Sequence, residues 1–553
     1  MREDFSNVAR YLSVMAREDP HLCAIKDPHH RESNGTIIYN ELTFLELNEY
    51  CDAVSRYISE CKIGRGTRVL LLLNPGLKFL FISFALFKIG AVPIFIDPGM
   101  GLKNFLNCVL NSQPEGLIGI PKAQWFSRIF FPYFRNLRVR INVESYKFVR
   151  AVDKLLLSRD KNDNFDIAPT GSEELAAILF TSGSTGPPKG VSYEHGVFES
   201  QVNLIRECYG IKRGEIDFPM LPIFALFNPA LGMTTIVPEM NPSRPATVNP
   251  LKVVEAINQC EVTNSFGSPA IWSRVAQFCN GRKINLSTMK RILIAGAPVP
   301  LSLIEKLSNC LPNGTIYTPY GATECLPITS ISSTEIIKET SHLTLQGKGT
   351  CVGRPLPGIS MRVIKIHDDS IGDWDDSLEL SQGAIGEIIV KGSVVTKEYD
   401  ALKEHTELAK INESNAIWHR TGDLGYIDNE NRLWFCGRKV ERVPTAQGEL
   451  YTDCCESIYN QHPEVFRTAL IGLGESKEIT PAIVVEPEKD NFPNSVSHRQ
   501  RLITELKALG EDYQMTRSID RFFIQKRLPI DIRHNAKIHR LTLARKYNLS
   551  SSI

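Results

Sequence analysis

A chain of 553 residues is longer than one hydrophobic core usually fills, which predicts about two to four folding units. Its 63 Lys and Arg stand against 62 Asp and Glu, a formal charge of +1 in a composition that is 42% hydrophobic and 23% charged. No global excess of either sign points to nucleic acid or an anionic membrane, so any binding must come from local sites. The 13 cysteines are odd in number and lack paired CxxC spacing, and the adjacent Cys454-Cys455 would form a strained bridge at best. Reduced thiols and a cytoplasmic location are the expectation, and Met1-Arg2-Glu3-Asp4 opens no signal-type apolar core.

In chain order, residues 69–73 form an apolar strand run, 77–89 have helical length, and 91–96 return to strand, a unit of parallel α/β sheets. This most apolar region is broken by Asn74-Pro75-Gly76 and punctuated by Lys78 and Lys88. Its longest piece, 79–87, falls far short of the about 20 apolar residues that span a membrane. It reads as core. A second strand run at 175–180 precedes a Gly/Ser/Thr loop and a return at 191–193, a further unit follows at 253–266, and 291–294 is a strand ending in a turn at 295–298. From about 383 the texture shifts to short strands at 386–390, 425–428 and 432–436, the last two joined by a hairpin connection in which Asn431 can take the left-handed conformation. The charged stretch 439–442, closed by Pro444, marks a boundary. The predicted architecture is α/β: a large N-terminal domain, 1–437, of mixed β-sheets with flanking helices, a hinge at 438–444, and a small α+β lid at 445–553. In the lid, helices are expected at 453–460 and 497–509 and strands at 468–472 and 482–485.

The loop Thr181-Ser182-Gly183-Ser184-Thr185-Gly186-Pro187-Pro188-Lys189-Gly190 offers backbone N–H groups, hydroxyls and a cation, the materials of a phosphate cradle. It is not a Walker A loop, because Pro187-Pro188 separate Gly186 from Lys189. The loop resembles the signature of the adenylate-forming superfamily of acyl-CoA synthetases, peptide-synthetase adenylation domains and luciferases. Residues 84–93 are similar to that superfamily's first core motif, and Tyr320-Gly321-Ala322-Thr323-Glu324 to its second nucleotide motif.

The resemblance implies ATP and Mg²⁺ as cofactors. Tyr320 would stack on adenine, Gly321 and Ala322 would allow close approach, Thr323 would bind phosphate, and Glu324 would hold Mg²⁺. Gly296, Ala297 and Pro298 would form the other wall of the adenine slot, with an ordinary strand-to-helix turn as the alternative for each side chain. Asp423, in Thr421-Gly422-Asp423-Leu424-Gly425, has two acceptor oxygens for the ribose hydroxyls, and Arg438 follows as in the superfamily. Lys537 matches the superfamily's adenylation lysine by position in its motif, since Arg533, Arg540, Arg545 and Lys546 are equally cationic. Thr323, Glu324 and Lys537 are the catalytic candidates. Family members swing the small domain about the hinge, and Val440 departs from the Asp or Lys that many carry there.

Residues 220–233 are apolar around Phe224 and Phe227, which reads as a greasy acyl pocket, as a buried strand and turn, or as both. With Phe266 and Gly267 they complete the candidate substrate pocket. Residues 220–246, Phe266-Gly267-Ser268-Pro269-Ala270 and 533–538 resemble the β-lactone synthetases of bacterial long-chain olefin biosynthesis. That resemblance implies adenylation of a long-chain 2-alkyl-3-hydroxy fatty acid, then cyclisation by its own hydroxyl with loss of AMP, and other enzymes of the same pathway as partners. A long-chain fatty acyl-CoA ligase is the alternative, and a non-catalytic acyl- or nucleotide-binding protein a third. His195 could serve as base for ring closure, but a histidine there is common among relatives that make no lactone.

Overall fold

In the computed structural model, which describes residues 5–158, 164–181, 186–474, 479–530 and 537–551, the first apolar runs become the strand Arg68–Leu72, the helix Leu77–Lys88 and the strand Val92–Phe95. The two strands pair in parallel. They lie within a six-stranded sheet ordered Val139–Asn142, Gly116–Gly119, Arg68–Leu72, Val92–Phe95, Leu175–Thr181, Lys189–Glu194. Helices Phe44–Glu60, Leu77–Lys88 and Tyr146–Leu157 cover one face, and Leu102–Ser112 and Pro121–Ile129 the other. Burial on both faces is why these strands read as continuous apolar runs rather than alternating ones. Lys88 is fully buried in this layer, paired with Asp52 and held at 2.7 Å by Asn48 Oδ1.

The unit expected at 253–266 is the helix Pro250–Gln259 followed by the strand Asn264–Gly267, which pairs in parallel with Arg291–Ile294. These strands belong to a second sheet of 14 strands. The short strands expected after 383 join this same sheet, and the one expected at 425–428 is the end of the 12-residue strand Ala416–Ile427. Asn431 takes φ 59°, the left-handed conformation its amide side chain tolerates.

A third sheet pairs Val465–Leu473, Thr480–Pro487 and Arg521–Ile524. Helices Thr452–Tyr459 and Val496–Glu511 pack on it around Tyr459, Leu470 and Leu502. All 13 cysteines are free, Cys454 and Cys455 included. Among the described residues, no helix is long and apolar enough to cross a membrane.

Candidate active site

The strands Leu175–Thr181 and Lys189–Glu194, which bracket the phosphate-type loop in the sequence, are antiparallel, with Thr181 opposite Lys189. Ser182, Gly183, Ser184 and Thr185 lie outside the described residues, and Thr181 is described only as the end of its strand. Gly186 and Lys189 line a cleft of about 1730 Å³ that crosses the molecule. Gly190 lies close under Phe180, whose Cζ a Cβ there would meet at 2.9 Å, so a larger residue would have to displace that ring. Burial lowers the pKa of Lys189 while Glu324 counters it, and the Lys189 ammonium sits 4.8 Å from the centre of the Tyr399 ring.

Strands Thr315–Ala322 and Cys325–Ser332 form a second hairpin, with Ala322 opposite Cys325. Thr323 and Glu324 therefore occupy its two-residue turn and project from the sheet edge into the cleft. Two tyrosines fix this turn. Tyr193 donates to the Thr323 carbonyl at 2.6 Å, and Tyr399 donates to Glu324 Oε1 at 2.7 Å. Tyr399 thus touches both the loop lysine and the turn acid.

Asp423 and Arg438 face each other on adjacent strands, with Arg438 Nε 3.0 Å from Asp423 Oδ1. Tyr320 donates its hydroxyl to Asp423 Oδ2 at 2.7 Å. Burial raises the pKa of Asp423, opposed by Arg438, Tyr320 and Lys537 in that order. Asp423 Oδ1 is charge-paired with Arg438 but, among the described residues, takes no hydrogen bond, so this buried oxygen has acceptor capacity left for a donor. A ribose hydroxyl is such a donor. Gly296, Ala297 and Pro298 line the same stretch of cleft as Tyr320, Gly321 and Ala322, and Gly296 takes φ 93°, open to glycine without strain. Lys537 lines the cleft too, close enough for its charge to favour the Asp423 carboxylate.

The apolar segment departs from the strand-and-turn alternative: Pro222–Phe227 is a 3₁₀ helix and Asn228–Leu231 a short α-helix. Phe224 and Phe266 line the cleft, stacked with ring centroids 3.7 Å apart. Phe227 and Gly267 do not line it. Phe227 backs the wall, stacked on Phe198 at 4.7 Å, and a Cβ on Gly267 would strike Trp272 Nε1 at 2.7 Å. Phe224→Ala should open the apolar wall, raising KM for a long acid about tenfold with a smaller change in kcat. Steady-state pyrophosphate release with long and short acids measures this, and an unchanged KM ratio would remove Phe224 from the acyl pocket.

His195 is 2% exposed, its Nδ1 accepts from Val8 N at 3.2 Å, and burial lowers its pKa to about 4. It packs against the N-terminal segment rather than the cleft.

The sequence reading missed a buried ionic knot that reaches Glu441 in the segment 438–444. Arg540 donates from Nε and Nη2 to Glu456 at 2.6 and 2.7 Å, and from Nη1 to Glu441 at 2.8 Å. Burial opposes the Arg540 charge, but Glu456 and Glu441 outweigh it and raise its pKa. Beside this knot Asp453 accepts from Thr350 Oγ1 at 2.5 Å, joining the helix Thr452–Tyr459 to the 14-stranded sheet. Val440, by contrast, is half exposed at the cleft margin.

Comparison with known proteins turns on the whole length of the chain. The sequence profile of AMP-binding enzymes matches residues 23–400. The chain belongs to the AMP-binding enzyme family. It is 40% identical over 546 residues to an olefin β-lactone synthetase of Xanthomonas campestris pv. campestris, covering 97% of each chain. A protein of the same description from Stenotrophomonas maltophilia is 38% identical, again with 97% of each chain covered. In fold, this AMP-binding enzyme superposes on the O-succinylbenzoate coenzyme A synthetase of Bacillus subtilis, solved with AMP, with TM-score 0.74 at 21% identity over 96% of this chain and 97% of that one.

Proposed function

We propose that the enzyme activates a long-chain 2-alkyl-3-hydroxy fatty acid with ATP and closes the resulting acyl adenylate to a β-lactone. The supporting observation is near-full-length identity of 40% to an olefin β-lactone synthetase, in a chain whose cleft joins the Phe224–Phe266 wall to Tyr320, Asp423 and Lys537.

In the first step a carboxylate oxygen attacks the α-phosphorus of ATP and pyrophosphate leaves. Asp423 holds the ribose, Tyr320 and the Gly296-Ala297-Pro298 turn flank adenine, and Lys537 stabilises charge passing between carboxylate and α-phosphate. Among the described residues no three His, Cys, Asp or Glu side chains gather as metal ligands. That suits Mg²⁺ bound to nucleotide, which takes one or two carboxylates and completes its shell with phosphate oxygens and water. Glu324, oriented by Tyr399, is the carboxylate that fits. Bound there, Mg²⁺ would neutralise phosphate charge.

In the second step the substrate's β-hydroxyl oxygen attacks its own acyl carbon, the carbon–oxygen bond to AMP breaks, and the hydroxyl proton is lost. An intramolecular nucleophile needs no second binding site, and holding it against the acyl carbon supplies the entropic advantage. Other enzymes handling the same acid and lactone are the expected partners.

AMP formation from a long 3-hydroxy acid should therefore proceed without coenzyme A, giving a product lighter than the acid by one water. Mass spectrometry with and without coenzyme A tests this. A strict coenzyme A requirement and a thioester product would overturn the lactone reading in favour of an acyl-CoA ligase.

A further inference from the structure

One edge of the six-stranded sheet carries a surface unlike the rest of the molecule. Between residues 121 and 158 the sequence holds eight Lys and Arg against two Asp and Glu, although the whole chain is +1. The local excess is thus concentrated in a sector that the overall balance conceals. The same sector exposes large apolar side chains: Trp125 at 67%, Phe131 at 57%, Tyr146 at 76% and Leu157 at 89%. Singly such exposure is ordinary, but several large apolar side chains in one basic sector mark a contact surface.

The two helices explain how these groups come to the surface. In Pro121–Ile129, Ala123, Gln124 and Ser127 are buried, which turns Lys122, Trp125, Arg128 and Ile129 outward. In Tyr146–Leu157, Phe148 and Val152 face the core, with Phe148 edge-on to Tyr57 at 5.3 Å. Its outer face presents Tyr146, Val149, Arg150, Lys154 and Leu157, which with Ser158 and a single acid, Asp153, line a shallow groove of about 500 Å³. The Arg150 guanidinium lies 5.8 Å from the centre of the Tyr146 ring. One cation in the sector, Arg138, is engaged by Glu115 at 3.0 Å. The two helices flank the edge strand Val139–Asn142 from opposite faces of the sheet.

This edge adjoins the apolar arm of the cleft. Leu72, Gly119 and Asn142 are register neighbours at the ends of three parallel strands. Leu73, Asn74 and Pro75 at the first of those ends line the cleft. The helix bearing Tyr146 follows the third, two strand spacings or roughly 10 Å away. Lys78 donates to the Val143 carbonyl at 3.5 Å and ties the two together.

We propose that this edge seats the enzyme on an anionic lipid bilayer. Exposed aromatics beside cations are the composition that settles at a headgroup interface, apolar bodies inserted and charges against lipid phosphates. Each Lys or Arg near such a surface adds attraction that salt screens. Self-association through the stripe is disfavoured because it would bring the cations of two copies together.

The full-length protein should cosediment with vesicles of equal parts phosphatidylglycerol and phosphatidylcholine, and much less with phosphatidylcholine alone. Binding should weaken as salt rises. R150E with K154E should lower partitioning at least about tenfold, and W125A with F131A should weaken it without removing its salt dependence. Both variants should keep the circular dichroism spectrum and AMP formation of the parent. Equal partitioning to neutral vesicles, undiminished binding by the charge-reversed variant, or no binding at low salt would each overturn the proposal. So would a concentration-dependent dimer in sedimentation that the same substitutions dissolve while vesicles go unbound.

Discussion

Lys537→Ala is expected to cut acyl-adenylate formation by on the order of a hundred- to a thousandfold, the range seen when one preorganised group that stabilises transition-state charge is removed. ATP affinity should change far less, because in the proposed site the nucleoside is held by Asp423, Arg438 and the turn at Gly296, and Arg438 and Tyr320 support the Asp423 carboxylate more strongly than Lys537 does. The lysine lines the same cleft as Asp423, close enough for its charge to favour that carboxylate. Pyrophosphate release and equilibrium dialysis with ATP separate the two effects. Undiminished pyrophosphate release by the variant would refute the assignment.

The second large effect is expected at Arg540. Replacing it with Met would leave Glu441 and Glu456, both nearly buried, facing one another without their counter-ion. Breaking a buried ionic set from one side costs about 3–5 kcal/mol, enough to unseat the C-terminal sheet and its helices. Arg540 lies three residues beyond Lys537, so it also determines where that lysine is held. The two roles come apart in a variant that adds Glu441→Gln and Glu456→Gln to Arg540→Met. Neutral partners should recover much of the stability, as removal of whole buried ion sets often does, while adenylation stays slow because the ionic clamp three residues beyond Lys537 is gone. Thermal unfolding and pyrophosphate release report the two quantities separately. A single Arg540→Met variant that melts and adenylates like its parent would dismiss the knot as inconsequential.

What was legible in the sequence, and what was not, follows the range of the interactions concerned. The strands at 69–73 and 91–96 were readable because burial on both faces leaves short apolar runs bounded by turn residues, with Pro93 inside the second. Asn431 was readable because its conformation is a property of one residue. The 3₁₀ helix at Pro222–Phe227 was not: with apolar residues throughout, no periodicity separates strand from helix, and packing of Phe224 on Phe266 decided it. The late strands were found, but their membership of the 14-stranded sheet was not, because sheet order is set by pairings between distant segments. The nucleotide-side residues were named from motifs. Tyr399, which orients Glu324 from 75 residues away, and the carboxylates that clamp Arg540 from 84 and 99 residues away, belong to no local pattern.

The division of the site between sheets has a consequence for the end of the reaction. Tyr320, Asp423 and Arg438 stand on strands of one continuous sheet, whereas Lys189 rises from the other and Lys537 belongs to the segment beyond both. If Tyr320, Asp423 and Arg438 hold the nucleoside as proposed, that hold rests on one sheet and need not loosen when contacts from Lys189 or Lys537 change, so AMP and the lactone are expected to leave in separate steps.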